Sequence, residues 1–356
     1  MDHTTTATAP PAAVLAAWEL APAAAATPLG TGLINQTWLV QSGGQRFVLQ
    51  RVNGIFPGEV NADIAAVTDH LRARGVVAPR LVPAVAGPGA GRLWVEHAGG
   101  NWRLMSFING VSLERLSAPP QAVAAGQLLG RFHRALDDFR EPFHSVRAGV
   151  HDTPRHLANL AAALEECTTH PQFDRVAPLG REILALAMTL PPLPPLPERV
   201  VHGDPKIANL LFEPDGGPAL ALVDLDTVGR MPLPLELGDA FRSWCNAGGE
   251  EVAAGAFSVP LFRGAVRGYA RATRGWITAD EAAAIVPATL TIYVELAARF
   301  CTDALRESYF GWDPRRFASR SEHNQVRARS QVSAARSLLD QRAAADAVIR
   351  AELAPA

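Results

Sequence analysis

Lysine is almost missing from this sequence: of 33 Lys and Arg residues in 356, only Lys206 is a lysine. Arginine therefore stands wherever either cation would serve, and the one exception marks a place where a compact ammonium matters. Cysteine is nearly as scarce. Cys167, Cys245 and Cys301 are odd in number, widely spaced and free of CxxC or clustered histidines, which excludes a disulfide framework or a zinc site and suits a reducing cytoplasm. There is no excess of charge of either sign. A formal net charge of −2 gives no reason to expect nucleic acid or an anionic membrane as partner. The opening "MDHTTTATAPPAAVLAAWEL" lacks the basic and apolar regions of a signal peptide, and no segment is expected to span a bilayer. These absences lead to the expectation of a soluble cytoplasmic protein, a monomer or weak homodimer, with no membrane partner. What is present is apolar: 48% hydrophobic and 19% charged residues are enough for a well-packed globular chain.

Periodicity changes along the chain. Residues 12–20 read as a short helix. Trp38 and Val40, then Phe47 and Leu49, alternate with other-facing residues across "QSGGQ", which predicts a hairpin. Val60, Ile64, Val67 and Leu71 mark one face of a helix over 59–74 that ends at Gly75. "LWVEHAGGNWRLMSFING" predicts a second hairpin bent at Gly99 and Gly100. The sequence then turns mainly helical, placing a boundary near residues 108–112 between an N-terminal lobe, 1–108, and a C-terminal lobe, 109–356. "PPLPPLP" at 191–197 reads as a rigid spacer between a helix and the next strand in preference to a polyproline ligand. "NLLFE" and "ALALVDLD" predict strands joined by "PDGG", and 249–345 returns to helices with an irregular Arg-rich stretch at 306–330.

The stretch "RVVHGDPKIANLLFE" carries the chemistry. A short strand, His-Gly-Asp, a polar residue two further on, Asn five further on and a hairpin ending in Asp is the order protein kinases use. Asp204 at the start of the loop is the candidate base that orients an attacking hydroxyl. Lys206 puts an ammonium where a γ-phosphate would sit. Asn209 and Asp224 supply hard oxygen ligands for Mg2+ from the two ends of one hairpin. Asp226 is either a further metal ligand or acceptor contact, or a strand-end capping carboxylate. His202, just before Gly203 and Asp204, reads as a packed structural residue. Asp239 in "ELGDAFRSW" reads as the start of a helix, capping its N–H groups or those of the catalytic loop.

At these residues the sequence resembles the aminoglycoside phosphotransferase and choline kinase superfamily, whose "HGDxxxxN" followed by "D" corresponds to Asp204, Asn209 and Asp224. Nearly the whole chain is covered. "GTGLINQTWLV", "FVLQRVNGIFP", "VHDTP", "HGDPKIANLLF", "VDLDTV", "GDAFR" and "ELAARFCTDAL" are similar, in order, to the N-acetylhexosamine 1-kinase branch. The resemblance implies an α+β, protein-kinase-like fold: a small N-terminal antiparallel sheet with one helix, and a larger, mainly helical C-terminal lobe. It also implies ATP as phosphoryl donor, Mg2+ as cofactor and the anomeric hydroxyl of a small-molecule sugar as acceptor.

The departure lies on the third strand. Kinases place there a lysine for the α- and β-phosphates, and this chain offers Gln50 or Arg51 in "VLQR". Arg51 is a candidate phosphate contact with Asp63 or Glu59 as helix partner, but strand alternation lets only one of Gln50 and Arg51 face inward. Gly30 and Gly32 either let backbone N–H groups approach phosphate or form a simple strand-entry turn. Asn35 and Thr37 of the same stretch, and Met105 and Phe107 of "RLMSFI", complete the nucleotide-binding set that the resemblance implies.

For the acceptor, Arg299 and Tyr309 match sugar-binding positions of the hexosamine kinases, at a spacing one residue shorter; Tyr309, Phe310 and Trp312 can equally pack the lobe. Between Arg299 and Arg336, eight arginines face four acids. This local excess predicts repulsion of polycations and suits a neutral sugar, unless the arginines form a solvated helical face. An aminoglycoside or choline-type O-phosphotransferase, for which acidic lining would speak, and a non-catalytic nucleotide-binding relative, which the missing lysine invites, are the alternatives.

Overall fold

Alternating apolar residues around two glycines build the first structure. The computed structural model describes residues 9–20, 25–30, 35–145, 149–249 and 251–353. They divide into two units, one running to Asn109 and taking in Phe139–Val146, the other holding Gly110–Asp138 and the chain from Arg147.

In the first unit α1 (Ala12–Ala16) precedes β1 (Ala25–Pro28), β2 (Gln36–Ser42) and β3 (Gln45–Val52). Gly43 and Gly44, at φ +57° and +77°, make the tight turn that joins β2 to β3 with Ser42 opposite Gln45. α2 (Val60–Ala73) follows, then β4 (Leu81–Val82), β5 (Val95–His97) and β6 (Gly100–Ser106). The antiparallel sheet runs β1-β2-β3-β6-β4, with β5 also on β6. One face carries Trp38, Val40, Leu49, Trp102 and Leu104, packed with Val14 and Trp18. Trp38 and Trp102 stack at 5.4 Å, and each large side chain buried there contributes about 1.5–3 kcal/mol. The other face carries Thr37, Gln50 and Arg103, and meets α2 through Asn61. Phe139–Val146 belongs to this unit because Asp63 on α2 accepts the His144 and Ser145 N–H groups, both at 2.8 Å.

The second unit opens with β7 (Val111–Ser112), α3 (Pro119–Ala135), α4 (Thr153–Glu166) and α5 (Phe173–Ala187). β8 (Glu198–Val201), β9 (Leu210–Phe212), β10 (Ala219–Leu222) and β11 (Gly229–Pro232) form two small antiparallel sheets, β10-β9-β7 and β11-β8. Short 3-10 turns cover Ile207–Asn209 and Leu225–Thr227. α6 (Leu233–Trp244), α7 (Val259–Thr273), α8 (Ala279–Arg306), α9 (Arg320–Asp340) and α10 (Arg342–Glu352) complete it. α3 and α7 approach until backbones touch: a Cβ on Gly126 would lie 2.0 Å from the Ala265 carbonyl, and one on Gly268 2.0 Å from that of Val123.

Three expectations are corrected here. α8, with 28 residues, is long and apolar enough to span a bilayer, against the expectation that no segment is. Burial explains its composition: α8 is the spine of this unit's core, packed with Leu160, Val176, Ile183 and Val332. The irregular stretch is only 307–319, since α9 begins at Arg320. Its polar sequence hides a buried helix in which Asn324, Gln325, Ser330 and Gln331 face inward. Asp239 does not begin a helix; it lies inside α6 and accepts from Arg242 Nε at 2.8 Å.

Candidate active site

The loop after β8 is pinned by one helix. The N–H groups of His202 and Gly203 donate to the two carboxylate oxygens of Glu236 on α6, at 3.0 and 2.9 Å. Glu236 is fully buried and also meets His133 Nε2 at 3.4 Å. Burial alone would raise its pKa, but the His133 contact, with His202 and the Gly203 N–H, reverses the balance and lowers it. The role assigned to Asp239 in the sequence thus falls to a residue three positions earlier. Further along α6, Ser243 Oγ accepts the Ile207 N–H at 3.1 Å, and Trp244 Nε1 donates to the Pro205 carbonyl at 2.8 Å. Gly203 must be glycine: φ is +84°, and a Cβ would sit 2.2 Å from the Thr227 carbonyl.

His202 is structural, as its position suggested. Nδ1 accepts the Asp204 N–H at 3.3 Å, which leaves the proton on Nε2 to donate to the Val223 carbonyl at 3.0 Å. Burial lowers its pKa and keeps the ring neutral.

Asp204, Lys206 and Asn209 converge in this loop. Lys206 Nζ donates to the Asp204 carboxylate. Asn209 Nδ2 donates to the Asp204 carbonyl at 2.8 Å and its carboxylate at 3.2 Å, which turns the amide oxygen the other way. Burial would raise the Asp204 pKa, but the Lys206 ammonium, with Arg242 and His202, outweighs it and holds the carboxyl at about 2. Burial would likewise lower the Lys206 pKa, yet the charges of Asp204 and Asp224 raise it. The lone lysine therefore lies in the field of two carboxylates. Asp224 enters through the backbone, since the Val223 N–H donates to the Asn209 carbonyl at 2.9 Å. Its own backbone is left-handed, at φ +66° and ψ +55°, a conformation costing about 1–3 kcal/mol in a non-glycine residue and typical of functional positions. Asp226, 4% exposed, sits in the 3-10 turn that follows.

A second polar cluster joins α4 to α8. Glu295, fully buried, accepts from Thr153 Oγ1 at 2.6 Å and His151 Nδ1 at 3.0 Å, with Arg299 Nη1 at 3.7 Å. Burial would lower the His151 pKa, but Glu295, helped by the charge of Asp239, raises it against the opposing Arg299. Among the described residues His151 Nε2 is buried without a hydrogen-bond partner. The Arg299 guanidinium lies 5.7 Å over the Phe310 ring, whose edge meets Tyr309 at 4.8 Å. Asp303 accepts the N–H groups of Ser308, Tyr309 and Phe310 at 2.7–2.8 Å and shapes that segment.

The arginines counted in the sequence of this lobe have partners. Arg306, Arg315, Arg316, Arg327 and Arg336 pair with Glu166, Asp313, Glu251, Glu251 and Glu182. Arg320 and Arg329 bond the Phe310 carbonyl and Gln325. Glu166, Glu182 and Glu251, outside the stretch, thus take up much of the local excess that the sequence counted.

In the first unit Gln50 and Arg51 separate. Gln50 faces α2, donating to Thr37 Oγ1 at 3.1 Å. Arg51 is exposed on the opposite sheet face beside Gly100, and Asp63 is committed to His144 and Ser145. The expected Arg51 phosphate contact with an α2 partner is thereby set aside. Arg103, which sequence reasoning passed over, lies beside Gln50 instead. Gly30 has φ +75° with open space at its Cβ; Gly32 lies outside the described residues. Asn35 Oδ1 accepts the Asn53 N–H at 2.9 Å. Met105 stands opposite Val48, half-buried, and Arg46 lies 4.3 Å over the Phe107 ring.

A mixed fold with an antiparallel sheet and a pinned His-Gly-Asp loop defines a kinase-like phosphotransferase architecture. Residues 25–274 match the phosphotransferase enzyme family, and the chain belongs to it. It is similar to a microcompartment-associated aminopropanol kinase at 18% identity, TM-score 0.60, covering 92% of this chain and 96% of that one. It is similar to an amicoumacin kinase in complex with AMP-PNP and Ca2+ at 14% identity, TM-score 0.61, covering 90% and 91%. An aminoglycoside phosphotransferase from Alicyclobacillus acidocaldarius matches at 15% identity, TM-score 0.56, over 98% of both chains.

Proposed function

We propose that this protein is an ATP-dependent small-molecule kinase that transfers the γ-phosphate of ATP to the anomeric hydroxyl of an N-acetylhexosamine or related sugar. The observation that carries this reading is the convergence of Asp204, Lys206 and Asn209 in one pinned loop, with Asp224 tied to it through Val223 and Asn209.

Asp204, ionised at neutral pH, accepts a hydrogen bond from the acceptor hydroxyl, orients it and takes its proton as the bond to phosphorus forms. Lys206 exchanges part of its hold on Asp204 for the incoming γ-phosphate, whose charge it offsets. Among the described residues no group of three or more His, Cys, Asp or Glu forms a metal cage. Mg2+ takes one or two carboxylates and completes its shell with phosphate and water. In this reading the Asn209 amide oxygen, turned away from Asp204, and the Asp224 carboxylate would be its protein ligands, with Asp226 in the following 3-10 turn as a further candidate. Bound Mg2+ would draw charge from the phosphate oxygens.

The sugar assignment is supported by the cluster at Glu295. "VHDTP" and "ELAARFCTDAL", 140 residues apart in the chain, meet through His151, Thr153, Glu295 and Arg299. Glu295 is already engaged by His151, Thr153 and Arg299, which supports a cluster that offers hydrogen bonds to a neutral, hydroxyl-rich acceptor rather than a free carboxylate to an amine. A second reading, O-phosphorylation of an amino alcohol or aminoglycoside, is favoured by the paired arginines and by the similar structures. An ADP-release screen across N-acetylhexosamines, other sugars, amino alcohols and aminoglycosides separates them, and turnover with amines alone overturns the sugar assignment. Asp204→Asn is expected to lower kcat about 10²–10⁴-fold with ATP binding retained; an unchanged rate removes Asp204 from its role.

A further inference from the structure

Two helices of the second unit carry arginines with no acid among them. α3 and α7 run parallel with their backbones in contact, since a Cβ on Gly264 would meet Pro119, one on Gly268 Val123, and one on Gly130 Ala272 and Thr273. On α7 and its C-terminal cap, Arg263, Arg267, Arg271 and Arg274 recur every three or four residues, so they share one face, and all four are exposed. On α3, Pro120, Val123, Gln127, Arg131 and Arg134 do the same. The two faces border one groove: Pro120 and Val123 line a cleft of about 570 Å3 together with Val259, Pro260, Arg263 and Arg267. From Pro120 to Arg134 the groove runs about 21 Å, at ~1.5 Å per residue.

Its charge is unbalanced. Neither helix contains an acid. Arg267 pairs with Glu352 at 2.8 Å and Arg134 with Asp137 at 3.6 Å, but among the described residues Arg131, Arg263, Arg271 and Arg274 have no acid as partner. This sets them apart from Arg306, Arg316, Arg327 and Arg336, whose acids are in place. The positive ends of both helix dipoles add to the same field at the cleft. A groove that is basic along its length and apolar at one end fits a row of carboxylates beside an apolar side chain. A lipid surface would ask for large apolar side chains to insert, and among the described residues none of the exposed ones lies on either helix. A nucleic-acid single strand would ask for exposed aromatic rings to stack on, and neither face carries one.

We propose that the groove between α3 and α7 is a docking surface for an acidic amphipathic segment of another protein, whose carboxylates meet Arg131, Arg263, Arg271 and Arg274 while an apolar side chain enters the cleft.

The probe is a fluorescently labelled peptide of about 14 residues, repeating Leu-Glu-Glu-Leu-Glu-Glu-Glu, which spans about 21 Å when helical. By fluorescence anisotropy the full chain should bind it and ignore the counterpart in which lysine replaces every glutamate. The double variant Arg263→Glu/Arg271→Glu should weaken binding at least ~10-fold, and Arg263→Gln/Arg271→Gln less, because the second removes charge without reversing it. Both positions are exposed, so the melting temperature should hold. Serine in place of the peptide's leucines should cost at least ~5-fold, and affinity should fall as salt rises to about 0.5 M. No binding of the acidic peptide at millimolar concentration, or equal binding by wild type and Arg263→Glu/Arg271→Glu, overturns the assignment. Tighter arginine-dependent binding to phosphatidylserine vesicles or to a single-stranded oligonucleotide overturns it in favour of a lipid or nucleic-acid partner. Self-association in sedimentation equilibrium that the double variant abolishes overturns it in favour of a second copy of this chain.

Discussion

Lys206 shows what a single side chain contributes. Its ammonium pairs with Asp204 and feels Asp224, so its size sets how closely the two carboxylates approach a shared phosphate. Lys206→Arg keeps the charge but replaces a point donor with a fork that can take both oxygens of Asp204 and shut the acceptor out. We expect kcat to fall about 10²-fold with stability little changed, read in a coupled ADP assay alongside calorimetry; retention of most activity would mean that only the charge matters. Asp204, Lys206 and Asn209 were legible in the sequence because their relation is local, fixed within one loop. Glu236 was not. Its two bonds to the loop depend on where α6 docks, and "ELGD" presents two carboxylates one helical turn apart, of which the sequence favoured the wrong one. Arg103 was hidden for the same reason, since its neighbour Gln50 is 53 residues away and meets it only through strand pairing.

Among elements, the β2–β3 and β9–β10 hairpins were readable because alternation and turn residues are adjacent in sequence. β7, of two residues, and β11, of four, were not, as their pairing comes from distant strands. The first half of α9 escaped for a different reason: up to residue 331 its inward face carries mainly amides, hydroxyls and charged groups, so no apolar stripe announces it, whereas Val332, Ala335 and Leu338 mark the half that the sequence read as helix. The α3–α7 pair owes its closeness to glycines rather than to large side chains. Gly126→Ala would drive a methyl into the Ala265 carbonyl, 2.0 Å away, and relief requires the helices to part. We expect a loss of ~2 kcal/mol or more, measured as a lower denaturant midpoint; an unshifted midpoint would show that the helices separate freely.

For the molecule as a whole, buried ion pairs such as His151 with Glu295 and His133 with Glu236 tie distant segments together. The His151–Glu295 pair couples this to pH. The His151 pKa is raised above 6.5 by Glu295 and Asp239, against burial and Arg299. A group whose folded pKa exceeds its unfolded value stabilises fully below the unfolded pKa and loses that contribution as pH rises through the folded one. The melting-temperature gap between wild type and His151→Gln should therefore be widest below pH ~6.5 and narrow as the pH rises through the folded pKa; a gap that widens with pH would mean that the ring is buried neutral.

The return of Phe139–Val146 to the first unit bears on how the polypeptide is made and how it can be cut. The Asp63 carboxylate finds its His144 and Ser145 partners only after α3 has been synthesised. A nascent chain leaving the ribosome thus cannot finish its amino-terminal body before the first helix of the other has emerged. A fragment truncated after Asn109 would carry a buried carboxylate stripped of its backbone donors, whereas one extended to about residue 146 would keep them.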